Sequence, residues 1–109
     1  MIFLRSKKEA IINTSDIIEN NVFIIKKAIK TSNYNVVDGT CIKGCFSIND
    51  KIILRENNCD IAEGYITSII TPSNIEIECT KNSKSKEFVL YIILDNEEKI
   101  TKKNIIIKN

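Results

Sequence analysis

Histidine and tryptophan are absent from this 109-residue chain, which carries one proline and three glycines. The lack of histidine removes the commonest general base near neutral pH and the commonest metal ligand. Ser-His and Cys-His hydrolase arrangements are therefore excluded within the chain, as is an ordinary histidine-based metal site. No G-x-x-x-x-G-K-[ST] run occurs, which excludes a phosphate-cradling P-loop. Charge of one sign is also lacking. Sixteen Lys and Arg face 14 Asp and Glu, a net charge of +2, so neither a polycationic nucleic-acid tail nor an acidic disordered tail is present. No uninterrupted apolar run approaches membrane-spanning length. The opening Met1-Ile2-Phe3-Leu4 precedes Arg5, Lys7 and Lys8, the reverse of the charge-first order of a signal peptide. The expectation is a cytoplasmic protein without membrane contact, its four cysteines kept as reduced thiols. These absences argue against an enzyme, and no cofactor is expected.

What the chain has in abundance is Ile, Lys and Asn, a bias that AT-rich codons would produce. Ile favours strands, where its branched side chain packs on a pleated surface. Asn takes up the left-handed turn conformation that usually falls to Gly. The length suits one domain with a core of its own. Residues 1–21 read as an N-terminal extension, with a short helix around Lys7-Lys8-Glu9-Ala10-Ile11-Ile12 broken by the cap-type residues Thr14, Ser15 and Asp16.

From Val22 onward the pattern is one of short strands and turns. Val22–Ile29 and Val36–Lys43 are separated by a turn at Thr31–Asn35, and Gly44 marks the next reversal. Phe46 and Ile48 lead to the Asn49-Asp50 turn. Ile52–Leu54 closes at Glu56-Asn57-Asn58, and Gly64–Ile70 closes at Pro72-Ser73-Asn74. Ile75-Glu76-Ile77-Glu78-Cys79 alternates strictly, which predicts one buried and one wet face. Phe88–Leu94 is apolar throughout, which predicts a strand covered on both sides, and Ile105–Ile107 is the last strand. About seven short, evenly spaced strands predict a closed barrel or a sandwich, without a repeat or second domain.

Three constellations bear on chemistry. Cys41 and Cys45 lie four apart, but Cys59 and Cys79 are too distant in sequence to supply a second knuckle for zinc. The expectation is buried, metal-free thiols at Cys41 and Cys79. Lysines gather at Lys26-Lys27-Lys30, in the loop Lys81, Lys84, Lys86, and at Lys99-Lys102-Lys103-Lys108, with Asp95, Glu97 and Glu98 diluting the last group. A mixed solvated surface is the ordinary reading, and convergence of two clusters would make a phosphate-facing patch. Lys81, Lys84 and Lys86 are the candidate nucleic-acid contacts. Phe23, Phe46 and Phe88 read as core, and Tyr34 as the one displayed aromatic. Glu76 and Glu78 share a strand face, with no nucleophile motif or Gly-rich loop beside them to suggest catalysis.

The most specific stretch is Val36-Val37-Asp38-Gly39-Thr40-Cys41-Ile42-Lys43-Gly44-Cys45-Phe46-Ser47-Ile48-Asn49-Asp50-Lys51-Ile52. It resembles the second-domain β-barrel of translational GTPases of the elongation factor Tu type, V-V-x-G-x-V-x-x-G-x-[IFL]-x-x-G-D-x-[VI]. Val37, Gly39, Gly44, Phe46, Asp50 and Ile52 stand in register. Ile66-Thr67-Ser68-Ile69, Phe88-Val89-Leu90-Tyr91-Ile92 and Ile100-Thr101-Lys102-Lys103-Asn104-Ile105-Ile106 are similar to later strands of that barrel. Asn49 and Lys103 replace family glycines, the A-x-x-G motif is missing, and the GTPase domain is absent. The resemblance implies a closed six- or seven-stranded antiparallel β-barrel over residues 22–109, with Val37 and Cys41 facing the core and Gly44 at a turn. In the family this barrel binds no nucleotide itself and contacts RNA or other parts of the translation machinery. The expected function is a non-enzymatic binding module contacting RNA or a ribosome-associated protein. The alternative is a protein–protein interaction or structural module that reuses the barrel.

Overall fold

The structure is a computed structural model that describes residues 17–108. The short helix expected around Lys7–Ile12 lies outside the described residues. Seven strands follow in order: β1 (Asn21–Lys30), β2 (Asn35–Lys43), β3 (Lys51–Glu56), β4 (Cys59–Ile70), β5 (Glu76–Ile77), β6 (Glu87–Leu94) and β7 (Asn104–Lys108). All pairings are antiparallel, in the order β3-β7-β1-β2-β6-β4-β5. A further β3–β4 pairing closes the first six into a barrel and leaves β5 outside, attached to the end of β4.

Alternation along the strands creates the core. β2 turns Val37, Gly39 and Cys41 inward, and β6 turns Phe88, Leu90 and Ile92 inward. Phe23, Phe46, Ile52, Leu54, Ile66, Ile69 and Ile106 complete the filling. Phe23 and Phe46 meet edge to face, with ring centroids 6.0 Å apart. Full burial of an aliphatic or aromatic side chain of this size contributes about 1.5–3 kcal/mol. Closing six strands into a barrel requires them to bend, and register shifts at Ile25/Lys27, Leu54/Arg55 and Ile66/Ser68 supply bends of the bulge type. A smaller apolar cluster lies on the outer wall, where Val22, Ile105 and Ile107 pack with Ile17, Ile24 and Ile53.

The turns follow the residue chemistry. Asn57 and Asn58 both take positive φ, 52° and 67°, as a tight type I′ hairpin requires. Asn49 (φ 75°) and Asn74 (φ 65°) take the same left-handed conformation. Asn49 thus fills the position where the family pattern has glycine. Gly44 (φ 65°) ends β2, and a Cβ there would lie 2.2 Å from the Asn21 side-chain oxygen. The Asp50 carboxylate accepts from the Ser47 backbone N–H at 2.7 Å, ordering the turn into β3.

Four expectations need correction. β4 begins at Cys59 rather than Gly64, because the tight Asn57-Asn58 turn lets pairing with β3 start at once. β6 is covered on one side only. Val89, Tyr91 and Ile93 are half-buried on the outer wall, since a barrel strand has a single core face. Strict alternation over Ile75–Cys79 does not make a five-residue strand. Only Glu76 and Ile77 pair with β4, and Ile75 is 58% exposed. Cys79 is half-buried, not buried, because the chain leaves β5 there for a single 3₁₀ turn at Thr80–Asn82.

Candidate functional site

A concavity among the described residues follows from the position of β5 outside the closed wall. The chain reverses at Thr71–Asn74, with the Asn74 N–H donating to the Thr71 carbonyl at 2.8 Å. It runs through β5, turns at Thr80–Asn82, and continues as the Lys81–Lys86 loop into β6. Between turn, strand and loop lies an open groove of about 800 Å³. Its walls include Pro72, Ile75 and Ile77 on one side, Ser83, Lys84 and Ser85 on the other, with Glu78 and Cys79 also lining it.

β5 pairs with β4 alone. Among the described residues no backbone hydrogen bond joins it to the Lys81–Lys86 loop. A strand paired on one side leaves backbone groups unpaired on the other; in the two-residue β5 these are few, because just beyond it the Glu78 carbonyl already accepts from the Ile48 N–H. The groove therefore combines an open strand edge, exposed or half-exposed isoleucines and a cationic, hydroxyl-rich opposite wall.

Lys81, Lys84 and Lys86 are all exposed, and none takes part in an ion pair among the described residues. The other lysine clusters do not join them. Lys26 is close but is bound to Glu87 at 3.0 Å. Lys30 faces Glu97 at 3.6 Å. Lys30 pairs with Asn35, which pairs with Ile92, five residues along β6 from Glu87, or about 16 Å at strand spacing. Lys108 reaches Asp50 at 2.7 Å and lies over the Phe46 ring. Tyr34 is displayed as expected, 37% exposed and edge-on to Tyr91 at 5.8 Å. It stands at the Lys30 end, away from the lysine loop. Glu76 and Glu78 are both exposed, as a solvated face requires.

The thiols were only partly legible. Cys41 is buried, and its Sγ donates to the carbonyls of Lys43 and Gly44 at 3.4 Å. Burial raises its pKa. Cys59 is exposed beside the β3–β4 turn. Cys79 sits opposite Ser47 across an antiparallel bridge. Hydrogen bonding from Ser47, and then from the Lys81 backbone N–H, lowers the Cys79 pKa. No trio of cysteine and carboxylate side chains among the described residues is arranged to hold a metal ion. No described helix is long and apolar enough to cross a membrane.

Sequence spacing gave no sign of the groove or of the Ser47–Cys79 bridge. The bridge depends on how residues 78–80 fold back against residues 46–48. The sequence matches no protein-family model and no curated protein.

Proposed function

We propose that this chain is a non-enzymatic binding module that takes up an extended segment of a protein partner along the open edge of β5. The observation that carries the reading is that edge itself, the one-sided pairing of β5 beside an apolar-walled groove. An added strand would satisfy the free backbone groups, and pockets for alternate side chains would give selectivity. Ile75 and Ile77 offer apolar contacts to such a segment, and Lys84, flanked by Lys81 and Lys86, favours carboxylates on it. The motif over residues 36–52 supports a narrower assignment to the elongation factor Tu second-domain type, in which the barrel is a contact module. The link to translation is an argument from fold and is offered as such.

RNA contact through Lys81, Lys84 and Lys86 is the competing reading. It is favoured by three unpaired lysines on one exposed loop. It is disfavoured by the distance of Tyr34 from that loop, since single-strand binding sites combine cationic grooves with stacking aromatics.

The test is selection of short displayed peptides on the purified protein, followed by affinity measurement against variants. Enrichment of peptides alternating apolar residues with carboxylates is expected. Ile75→Asp and Lys84→Glu should each weaken binding by about ten-fold or more, a change of about 1.4 kcal/mol, with the circular dichroism of the barrel retained. Absence of enrichment, or equal binding by both variants, would remove the peptide reading. In parallel, binding to a structured RNA across a salt series, lost when all three loop lysines become Ala, would favour the RNA reading.

A further inference from the structure

The run Phe88–Leu94 is apolar at every position, yet the barrel core accounts only for Phe88, Leu90 and Ile92. An antiparallel strand with one solvated face alternates apolar and polar residues. β6 does not, because its outward residues are Val89, Tyr91 and Ile93. The strand registers extend this apolar surface to both sides. Tyr91 lies opposite Val36 on β2, and Val36 lies opposite Ile29 on β1. In the other direction Ile93 lies opposite Tyr65 on β4, and Val89 opposite Ile70. Tyr34 sets its ring edge-on against Tyr91. Ile29, Tyr65 and Tyr34 are 55%, 43% and 37% exposed. The other apolar stretch of outer wall, at Val22, Ile105 and Ile107, is buried. Four strands wide and five residues along β6, the open face has a footprint of about 20 Å by 20 Å at sheet spacing. The resulting patch of about 400 Å² equals the largest on a typical monomer, which is often functional.

We propose that this face binds the same face of a second copy of the chain, forming a two-fold dimer. The charges at its edges select that occupant. Lys27 and Asp38 stand opposite each other at the β1–β2 edge. At the β3–β4 edge, Lys51 lies opposite Tyr65, and Glu63 precedes Tyr65 by two residues on the same side of β4. None of the four takes part in an ion pair among the described residues. Each edge thus carries one cation and one anion. A phosphate backbone laid over the tyrosines would meet as many carboxylates as ammonium groups, which disfavours single-stranded nucleic acid here. A surface that must match itself needs both signs.

With the two-fold axis lying in the face and passing near Tyr91, the β1–β2 edge of one copy meets the β3–β4 edge of the other. Lys27 then faces Glu63 of the second copy, and Asp38 faces its Lys51. The tyrosines occupy the centre, where interfaces are enriched in them. Patch and rim together come to the small end of specific interfaces, about 1,200 Å² in total, so the dimer is reversible and forms in the micromolar range. None of these residues lines the β5 groove, so the contact is separate from the peptide site.

The experiment is sedimentation velocity on the purified full chain, with a thiol reductant present, from low micromolar to near millimolar concentration. The expected result is a concentration-dependent shift from monomer to dimer mass. Ile29→Lys and Tyr65→Lys change exposed positions and should leave the circular dichroism of the barrel intact, while each weakens association by about ten-fold or more. Lys27→Glu or Glu63→Lys alone should weaken it by a similar factor, since each sets like charges against one another across the axis. Combining the two should restore association, because the exchange rebuilds the pair with its sign reversed. The proposal is overturned if the unaltered chain stays monomeric at every concentration, with or without an added single-stranded oligonucleotide bound at this face. It is also overturned if a dimer forms that neither Ile29→Lys nor Tyr65→Lys weakens, and the two-fold arrangement falls if the combined exchange fails to restore association.

Discussion

At Gly39, β2 crosses β1 so closely that an added Cβ would lie 2.1 Å from the Ile24 carbonyl oxygen and 2.6 Å from the Phe23 ring. Neither neighbour can withdraw. One is strand backbone and the other is wedged in the core against Phe46. Gly39→Val should therefore destabilise the barrel by about 3 kcal/mol, the upper end of the usual cost of overpacking, read as a lower midpoint in chemical denaturation. The need for glycine here was legible in the sequence, because an inward-facing strand glycine signals close backbone approach. So was the use of Asn in left-handed turns, which Asn49, Asn57, Asn58 and Asn74 all adopt. Cys79 was not legible. Its apolar-side spacing suggested burial, but the 3₁₀ turn that begins at Thr80 leaves it half-exposed.

At the scale of elements, the strands that pair along most of their length were readable, and the exceptions have local causes. The apolar run in β6 suggested cover on both faces, yet a barrel wall buries only Phe88, Leu90 and Ile92. Strict alternation at residues 75–79 suggested a full strand, yet β4 has only Ile69 and Ile70 available there as partners. The seam between β3 and the chain entering β1 is held by Arg55, which binds Glu19 at 2.6 Å and Asp60 at 2.7 Å. The hydrogen bond from Arg55 holds the Glu19 carboxyl below its ordinary pKa. The sign follows from linkage. A depressed folded-state pKa stabilises the fold above the ordinary carboxylate range, and that stabilisation is lost as pH falls through the depressed value. Arg55→Met should cost about 1 kcal/mol near neutral pH, at the upper end for a partly screened pair. The gap between the two proteins in denaturant midpoint should narrow on acidification. A gap independent of pH would assign the cost to lost packing of the Arg55 stem instead.

For the whole molecule, closure is the decisive fact. Six strands that pair on both sides leave no edge, and β5, outside the ring, is the strand with one strand neighbour among the described residues; the proposed peptide would add there. The barrel was legible because strand count, spacing and turn residues all pointed to it. The groove was not, because it arises from the packing of a two-residue strand and a polar loop that no periodicity links. The Lys81–Lys86 loop was recognised by its charge, and its place as one wall of a groove became visible only in three dimensions. The most direct measurement of the account is amide hydrogen exchange on the full chain, free and bound to a selected peptide. The account expects new protection at Glu76, Ile77 and their immediate neighbours, with exchange at β1, β2 and β7 unchanged. Protection confined to the outer wall around Tyr34 and Tyr91, with β5 exchanging as in the free protein, would contradict it.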